Sequence, residues 1–252
     1  MIYSSMFEKN MILDSLKLIL TKYKSVRELY NAIALFFKKD QEKEFFSYSQ
    51  FTRYIKGEIL IPEKNADILT RFLHNNFNIT TDLVQPNLII NVKASPIHVD
   101  MSTLLSSPNK VNLLAFHLIR QDHLKGKFDV ILTHSEAIPL AIAFSQVLNI
   151  PWWSVSFRPP SVHPSLISQY PYLIDQELVA TAYFIQGQNI QNKKVFVIND
   201  YIRRGGFLDI LFRVVEDNYA EVHFLLTILG IGNTWKRFYN ELEGNMRVVH
   251  FL

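Results

Sequence analysis

The stretch VFVINDYIRRGG, Val195 to Gly206, decides the fold. Its first four residues are apolar and predict a buried parallel strand. The chain then turns through Asn199 and Asp200 into a loop that ends in Gly205 and Gly206, and a helix follows from Phe207. A loop at the carboxyl end of a central strand, running into a helix N-terminus, is where open α/β sheets bind anions. Two glycines let backbone N–H groups approach a phosphate closely. An ordinary strand–loop–helix connection carrying a surface arginine pair is the plainer reading of the same residues.

Outward from this stretch, short apolar runs recur at 88–92, 130–133, 152–156, 179–185, 222–227 and 247–252. Helical periodicity fills 110–121, 139–148, 207–216 and 235–242. Strand alternating with helix predicts an α/β domain with a parallel sheet covered on both faces. Residues 159–176 read as a loop. Before residue 85 the pattern is helical only: 12–20, 26–37 with Ser25 placed to cap it, and 65–73 after Pro62. The stretch 78–87, with paired threonines, Asp82 and Pro86, reads as a connector. The chain therefore divides into a helical domain, 1–84, and an α/β domain, 85–252.

Composition narrows the classes. Of 252 residues, 48% are hydrophobic and 19% charged, which predicts a packed core and excludes wholesale disorder. No cysteine is present, so disulfide scaffolds, thiol nucleophiles, zinc fingers and iron–sulfur ligation are excluded and an intracellular home is expected. The longest uncharged run, 137–157, is broken by Pro139, Ser145, Gln146, Asn149 and Pro151, and reads as helix then strand rather than a membrane span. The first residues carry no signal-peptide pattern, so a soluble cytoplasmic protein is expected. A net charge of +3 does not by itself signal nucleic acid.

The helical half holds SYSQFTRYIKGEILIP, Ser47 to Pro62. Ser47 or Ser49 can cap a short helix that turns Phe51, Tyr54 and Ile55 inward and Gln50, Arg53 and Lys56 outward, with Gly57 as its stop. Gln and Arg can read base edges, while Ser and Lys can hold phosphates. This stretch resembles the recognition-helix region of repressor-type helix-turn-helix domains. The resemblance implies double-stranded DNA as partner, contacted by Ser47, Ser49, Gln50, Thr52, Arg53 and Lys56. Residues 26–37 would be the positioning helix. The segment 38–46 is longer than the usual turn of about 3–4 residues. Residues 1–85 carry 12 basic and 10 acidic side chains, so a helical cap or dimerisation domain with a solvated polar face is the competing reading.

The glycine-ended loop resembles the phosphoribosyl-pyrophosphate motif of type I phosphoribosyltransferases. SPIHVDMSTLLSSP, Ser95 to Pro108, is similar to the hood segment of the orotate enzymes. FDVILTHSEAIPLAIAFSQVLNIPWWSVSFR, Phe128 to Arg158, is similar to their strand, pyrophosphate loop, helix and next strand. The resemblance implies a pocket formed by Asn199, Asp200, Tyr201, Arg203, Arg204, Gly205 and Gly206 with Thr133, His134, Ser135 and Arg158. It also implies a homodimer, and magnesium if a pyrophosphate ligand binds.

The departures share a direction. Asn199 replaces the first acidic residue of the motif, Arg203 and Arg204 replace small hydroxyl residues, and Phe207 follows the glycines. Glu136-Ala137 stands where a glycine pair is usual, and no Lys or Arg lies between Arg158 and Lys193. Departing pyrophosphate needs cations or metal aimed at it. No catalytic residue and no resident metal site is therefore nominated.

The combined expectation is a DNA-binding regulator resembling archaeal phosphoribosyltransferase-like regulators, whose degenerate domain senses a phosphoribosyl compound or nucleotide. An active transferase and a ligand-free structural dimer are the alternatives. There is no Walker loop, HExxH or GxSxG. His117 and most other histidines read as packing or surface residues, and Trp152-Trp153 as core or dimer interface.

Overall fold

The computed structural model describes residues 2–38, 46–91, 98–175, 178–185 and 190–252. Four helices come first: α1 (Ile2–Leu20), α2 (Val26–Lys38), α3 (Tyr48–Ile55) and α4 (Glu63–Asn76). Ser25 caps α2 as expected, its Oγ accepting the Glu28 amide at 3.2 Å. The expected connector is folded and packed. Residues Ile79–Val84 form one π-helical turn with Ile79, Leu83 and Val84 buried. The Thr80 hydroxyl donates to the carbonyl of Val249 at the far end of the chain, 2.8 Å away.

A small ribbon of β1 (Ile89–Asn91) and β2 (His98–Asp100) follows. Then come α5 (Ser102–Leu105), α6 (Pro108–Gln121), β3 (Val130–His134), α7 (Ile138–Leu148), β4 (Trp152–Val155), β5 (Ile167–Asp175), β6 (Leu178–Ile185), β7 (Lys194–Ile202), α8 (Gly206–Asp217), β8 (Glu221–Gly230), α9 (Trp235–Glu241) and β9 (Met246–Phe251). Strands β4-β3-β7-β8-β9, in that order, make one all-parallel sheet, so the α/β expectation holds. From β3 the chain goes outward to β4, and from β7 it advances in the opposite direction. The order thus reverses between β3 and β7, and a crevice forms outside their carboxyl ends.

Period-2 alternation sends side chains to two cores. Ile131, Phe196, Ile198, Leu226 and Ile228 share one core with α6, α7 and the N-terminal helices. Val130, Leu132, Val195, Val197 and Leu225 share the other with α8, Phe238 of α9 and Ala182 and Phe184 of β6.

The first core runs unbroken across residue 85. His117 of α6 is buried there, stacked on Phe77 with ring centres 4.2 Å apart. Ser15 of α1 donates its proton to the Met11 carbonyl at 2.6 Å, which leaves its oxygen to accept from His117 Nε2, 2.8 Å away. Burial, helped by Arg120 and His74, pushes the His117 pKa down to about 3, so the ring is neutral at physiological pH.

Two expectations are corrected. Residues 167–175 are not loop but strand β5, paired antiparallel with β6. Pro171 lies inside this strand and masked it, since proline normally demotes a strand; a two-stranded ribbon tolerates it. Asn199 and Asp200 are not a turn either. Strand β7 continues to Ile202 because β8 is long enough to pair with it, Asn199 with Thr227 and Ile202 with Gly230.

Candidate functional site

The residues at the carboxyl ends of β3 and β7 meet across the crevice. Thr133 faces into the sheet and donates to the Ile198 carbonyl at 2.8 Å, stitching β3 to β7. His134 is 1% exposed and sits between two carboxylates. Its Nδ1 lies 2.7 Å from Glu136 Oε2 and its Nε2 3.1 Å from Asp200 Oδ1. Burial alone would lower the His134 pKa, but these two hydrogen bonds push it up to about 9. The ring is therefore an imidazolium at neutral pH, and its hydrogen bond holds the Glu136 pKa below the usual carboxylate range.

Glu136 also accepts from the Ser135 hydroxyl at 3.0 Å and from its own backbone N–H. Asp200 Oδ1 accepts the Tyr201 amide at 2.7 Å. Around this trio stand aromatic rings from three elements. Phe207 of α8 stacks on His134 at 5.7 Å and 18°. Phe157, just past β4, lies 4.6 Å from Phe207, and Tyr172 of β5 lies 5.2 Å from it. Burial, with Glu136 nearby, raises the Tyr172 hydroxyl. Burial, with Asp200 nearby, likewise raises that of Tyr201, which is exposed at the end of β7.

The loop beyond is tied down at its edges. The Arg203 carbonyl accepts from Thr234 Oγ1 at 2.9 Å, and Arg204 is exposed. Gly205 adopts φ +82° and starts α8 with no side-chain cap, and Gly206 is the first residue of that helix. A Cβ on Gly205 would lie 3.0 Å from the Phe238 ring, so both conformation and space require glycine there. Asn199 donates to the Tyr201 carbonyl at 2.7 Å, while its Oδ1 is buried without a hydrogen-bond partner among the described residues.

Of the nominated pocket residues, His134 and Asp200 touch directly and Ser135 joins them through Glu136, whereas Thr133 bonds the Ile198 carbonyl and Asn199 bonds the Tyr201 carbonyl and Thr227, within the sheet. Arg158 is exposed past β4, where its backbone N–H and carbonyl both bond the Ser156 hydroxyl. The aromatic wall went unread in the sequence. Phe207 was visible only as a departure after the glycines, and Tyr172 was hidden by the misread strand. A resident magnesium does not fit: Asp200 and Glu136 both bond His134. Among the described residues no group of three His, Asp or Glu is placed to hold a metal.

The second nominated surface is α3, eight residues long. Ser47 and Gln50 form a capping box: Ser47 Oγ accepts the Gln50 amide at 3.2 Å, and Gln50 Oε1 accepts the Ser47 amide at 2.9 Å. Thr52 back-bonds to the Tyr48 carbonyl at 3.0 Å. Ser49, Arg53 and Lys56 are exposed, and Glu58 lies 3.6 Å from Arg53 and 3.8 Å from Lys56. Phe51 and Tyr54 are buried as expected. Residues 39–45 of the expected inter-helix turn and 95–97 of the hood-like stretch lie outside the described residues.

No family model and no curated protein sequence matches the chain. Solved structures do. Adenine phosphoribosyltransferase from Thermoanaerobacter pseudethanolicus superposes with a TM-score of 0.55 at 14% identity, covering 67% of this chain and 98% of that one. The Saccharomyces cerevisiae enzyme, complexed with an imino-altritol bisphosphate and adenine, gives 0.55 at 14%, covering 66% and 96%. The Giardia lamblia enzyme, complexed with 9-deazaadenine, gives 0.56 at 11%, covering 67% and 96%. The C-terminal part of this chain therefore has a phosphoribosyltransferase-like fold.

Proposed function

We propose that the protein is a DNA-binding transcriptional regulator in which residues 85–252 bind a phosphoribosyl compound or nucleotide without transferring it, while residues 1–84 read duplex DNA through α3. The observation that carries this reading is the ion trio Glu136–His134–Asp200. A transferase must stabilise departing pyrophosphate with cations, yet the His134 imidazolium at the head of this crevice is already held between two carboxylates of the chain itself. The glycine loop before α8 stays uncapped, which suits binding.

The exposed Ser49, Arg53 and Lys56 on a helix anchored by Phe51 and Tyr54 give a surface suited to a major groove. A two-fold dimer would present two such helices to half-sites about 34 Å apart. A ligand acts as a switch only if it binds one arrangement of the pair more tightly than the other.

The test is fluorescence anisotropy of the full chain on its own upstream DNA and on scrambled DNA, at two salt concentrations, with and without phosphorylated ligand. The expected result is salt-steep binding at least ~1000-fold tighter on the upstream fragment, altered by ligand. Equal micromolar binding to both DNAs overturns the regulator. Release of pyrophosphate from phosphoribosyl pyrophosphate in the presence of a base would establish a transferase instead.

A further inference from the structure

A cavity of about 320 Å³ lies at the opposite end of the sheet from the crevice, where β9 begins. Its walls are the end of α4, the start of the π turn, the last residue of α6 and Arg247 of β9. The helical half of the chain and the α/β half therefore both contribute to it. The volume is at the lower end for small-molecule sites, about 300–1,000 Å³. The walls are held in place from behind. Thr80 is tied to the Val249 carbonyl of β9. The Asn78 amide donates to Asp82 Oδ2 at 2.8 Å, and Lys22 neutralises that carboxylate from 2.6 Å.

The lining is mostly polar and of mixed character. Among the described residues it carries the cation Arg247 and the imidazole of His74, and no carboxylate. The nearest acid along the chain is Asp122, just past Gln121. Burial pushes its pKa up, with Arg247, His123 and Lys127 pulling against that, and its buried Oδ2 has no hydrogen-bond partner among the described residues. Arg247 makes no ion pair with it, so the guanidinium keeps its donors for an incoming carboxylate. The opposite wall offers acceptors. Asn75 and Asn76 each donate Nδ2 to a carbonyl one turn back, Arg71 at 2.9 Å and Phe72 at 2.8 Å, which leaves each Oδ1 to accept. Both α4 and α6 end at the cavity, and a helix C-terminus carries spare carbonyls and partial negative charge.

Donors for an anion and acceptors for a cation, a few ångströms apart in a small polar cavity, suit a compact zwitterion. We infer that this cavity binds a free α-amino acid, with its carboxylate on Arg247 and its ammonium on Oδ1 of Asn75 and Asn76 at the end of α4. The side chain it favours is polar and uncharged, because the Gln121 amide and Asn78 Nδ2 are what remain to meet it; Asn78 Oδ1 is occupied by the Thr81 amide at 3.1 Å. This inference does not depend on the crevice or on DNA reading by α3.

The experiment is isothermal titration of the full-length protein with glutamine, asparagine, serine, threonine and leucine. The N-acetyl and the C-terminal amide derivative of whichever binds best are titrated next. At least one of the four polar amino acids should bind more tightly than leucine. Blocking either its amine or its carboxylate should weaken it by ~10-fold or more, as expected for losing hydrogen bonds to a charged group. Arg247→Gln and Asn75→Leu remove one contact from each wall, and both residues are exposed. Each variant, checked for a native melting transition, should lose ~10-fold or more in affinity for the amino acid. An N-acetyl derivative that binds as well as the free amino acid would reduce the cavity to a carboxylate site and overturn the assignment. Absence of heat with all five amino acids, or unchanged affinity in both folded variants, overturns the inference outright.

Discussion

Gly205 shows how much one backbone conformation constrains this site. Its φ of +82° and the 3.0 Å approach of Phe238 mean that Gly205→Ala must strain the backbone and shift a buried ring. A loss of about 1–3 kcal/mol in urea denaturation is expected; an unchanged midpoint would show that the loop relaxes freely. Arg53 is the corresponding residue on the face proposed to read DNA, exposed and 3.6 Å from Glu58. Arg53→Ala should weaken anisotropy-measured DNA binding by ~10-fold or more and leave nucleotide titration unchanged. An equal effect on both would place Arg53 in the fold rather than the interface. His134 and Asp200 were visible from sequence because they sit at strand ends next to the motif. That Glu136 bonds His134 was not, because periodicity places a side chain on a face without saying which neighbour it reaches.

At the scale of elements, α3 illustrates how one pattern can serve two readings. Ser47 and Gln50 had been nominated to touch DNA, and their spacing also makes a capping box, which is how the helix uses them. Ser47→Ala should therefore cost ~1 kcal/mol of stability through the lost cap. It should lower DNA affinity less than Arg53→Ala does; a larger loss in DNA binding than for Arg53→Ala would restore Ser47 as a direct contact. Strands β3, β7 and β8 were legible because they are apolar runs covered on both faces. Strand β5 was not, since Pro171 interrupts a ribbon whose pairing is set by β6 rather than by its own composition. The π turn at Ile79–Val84 was read as a connector for a similar reason. Its polar residues, Thr80, Thr81 and Asp82, stand out in sequence, while Ile79, Leu83 and Val84 find their partners only in the folded chain.

For the whole molecule, the two buried histidines make opposite demands on pH. His117 joins α1 to α6 as a neutral ring, with its pKa lowered from 6.5 to about 3. The unfolded chain then binds the extra proton, so stability is full above pH 6.5 and falls as pH drops from there toward 3. His134 joins the β3 turn to β7 as a cation, with its pKa raised from 6.5 to about 9. Here the folded chain holds the extra proton, so the stabilisation is full below pH 6.5 and is lost as pH rises toward 9. Each limb has a limiting slope of about 1.4 kcal/mol per pH unit, and the two meet near pH 6.5, where stability should peak. His134→Gln should flatten the alkaline limb and also remove the acid loss that Glu136 adds, since His134 is what holds the Glu136 pKa down, while His117→Gln should flatten the limb just below pH 6.5. Urea denaturation of the three proteins from pH 4 to 9 reads this directly. A maximum displaced by more than about one unit, or an alkaline limb that survives His134→Gln, would show that the ion trio does not tie the β3 turn to β7 by charge.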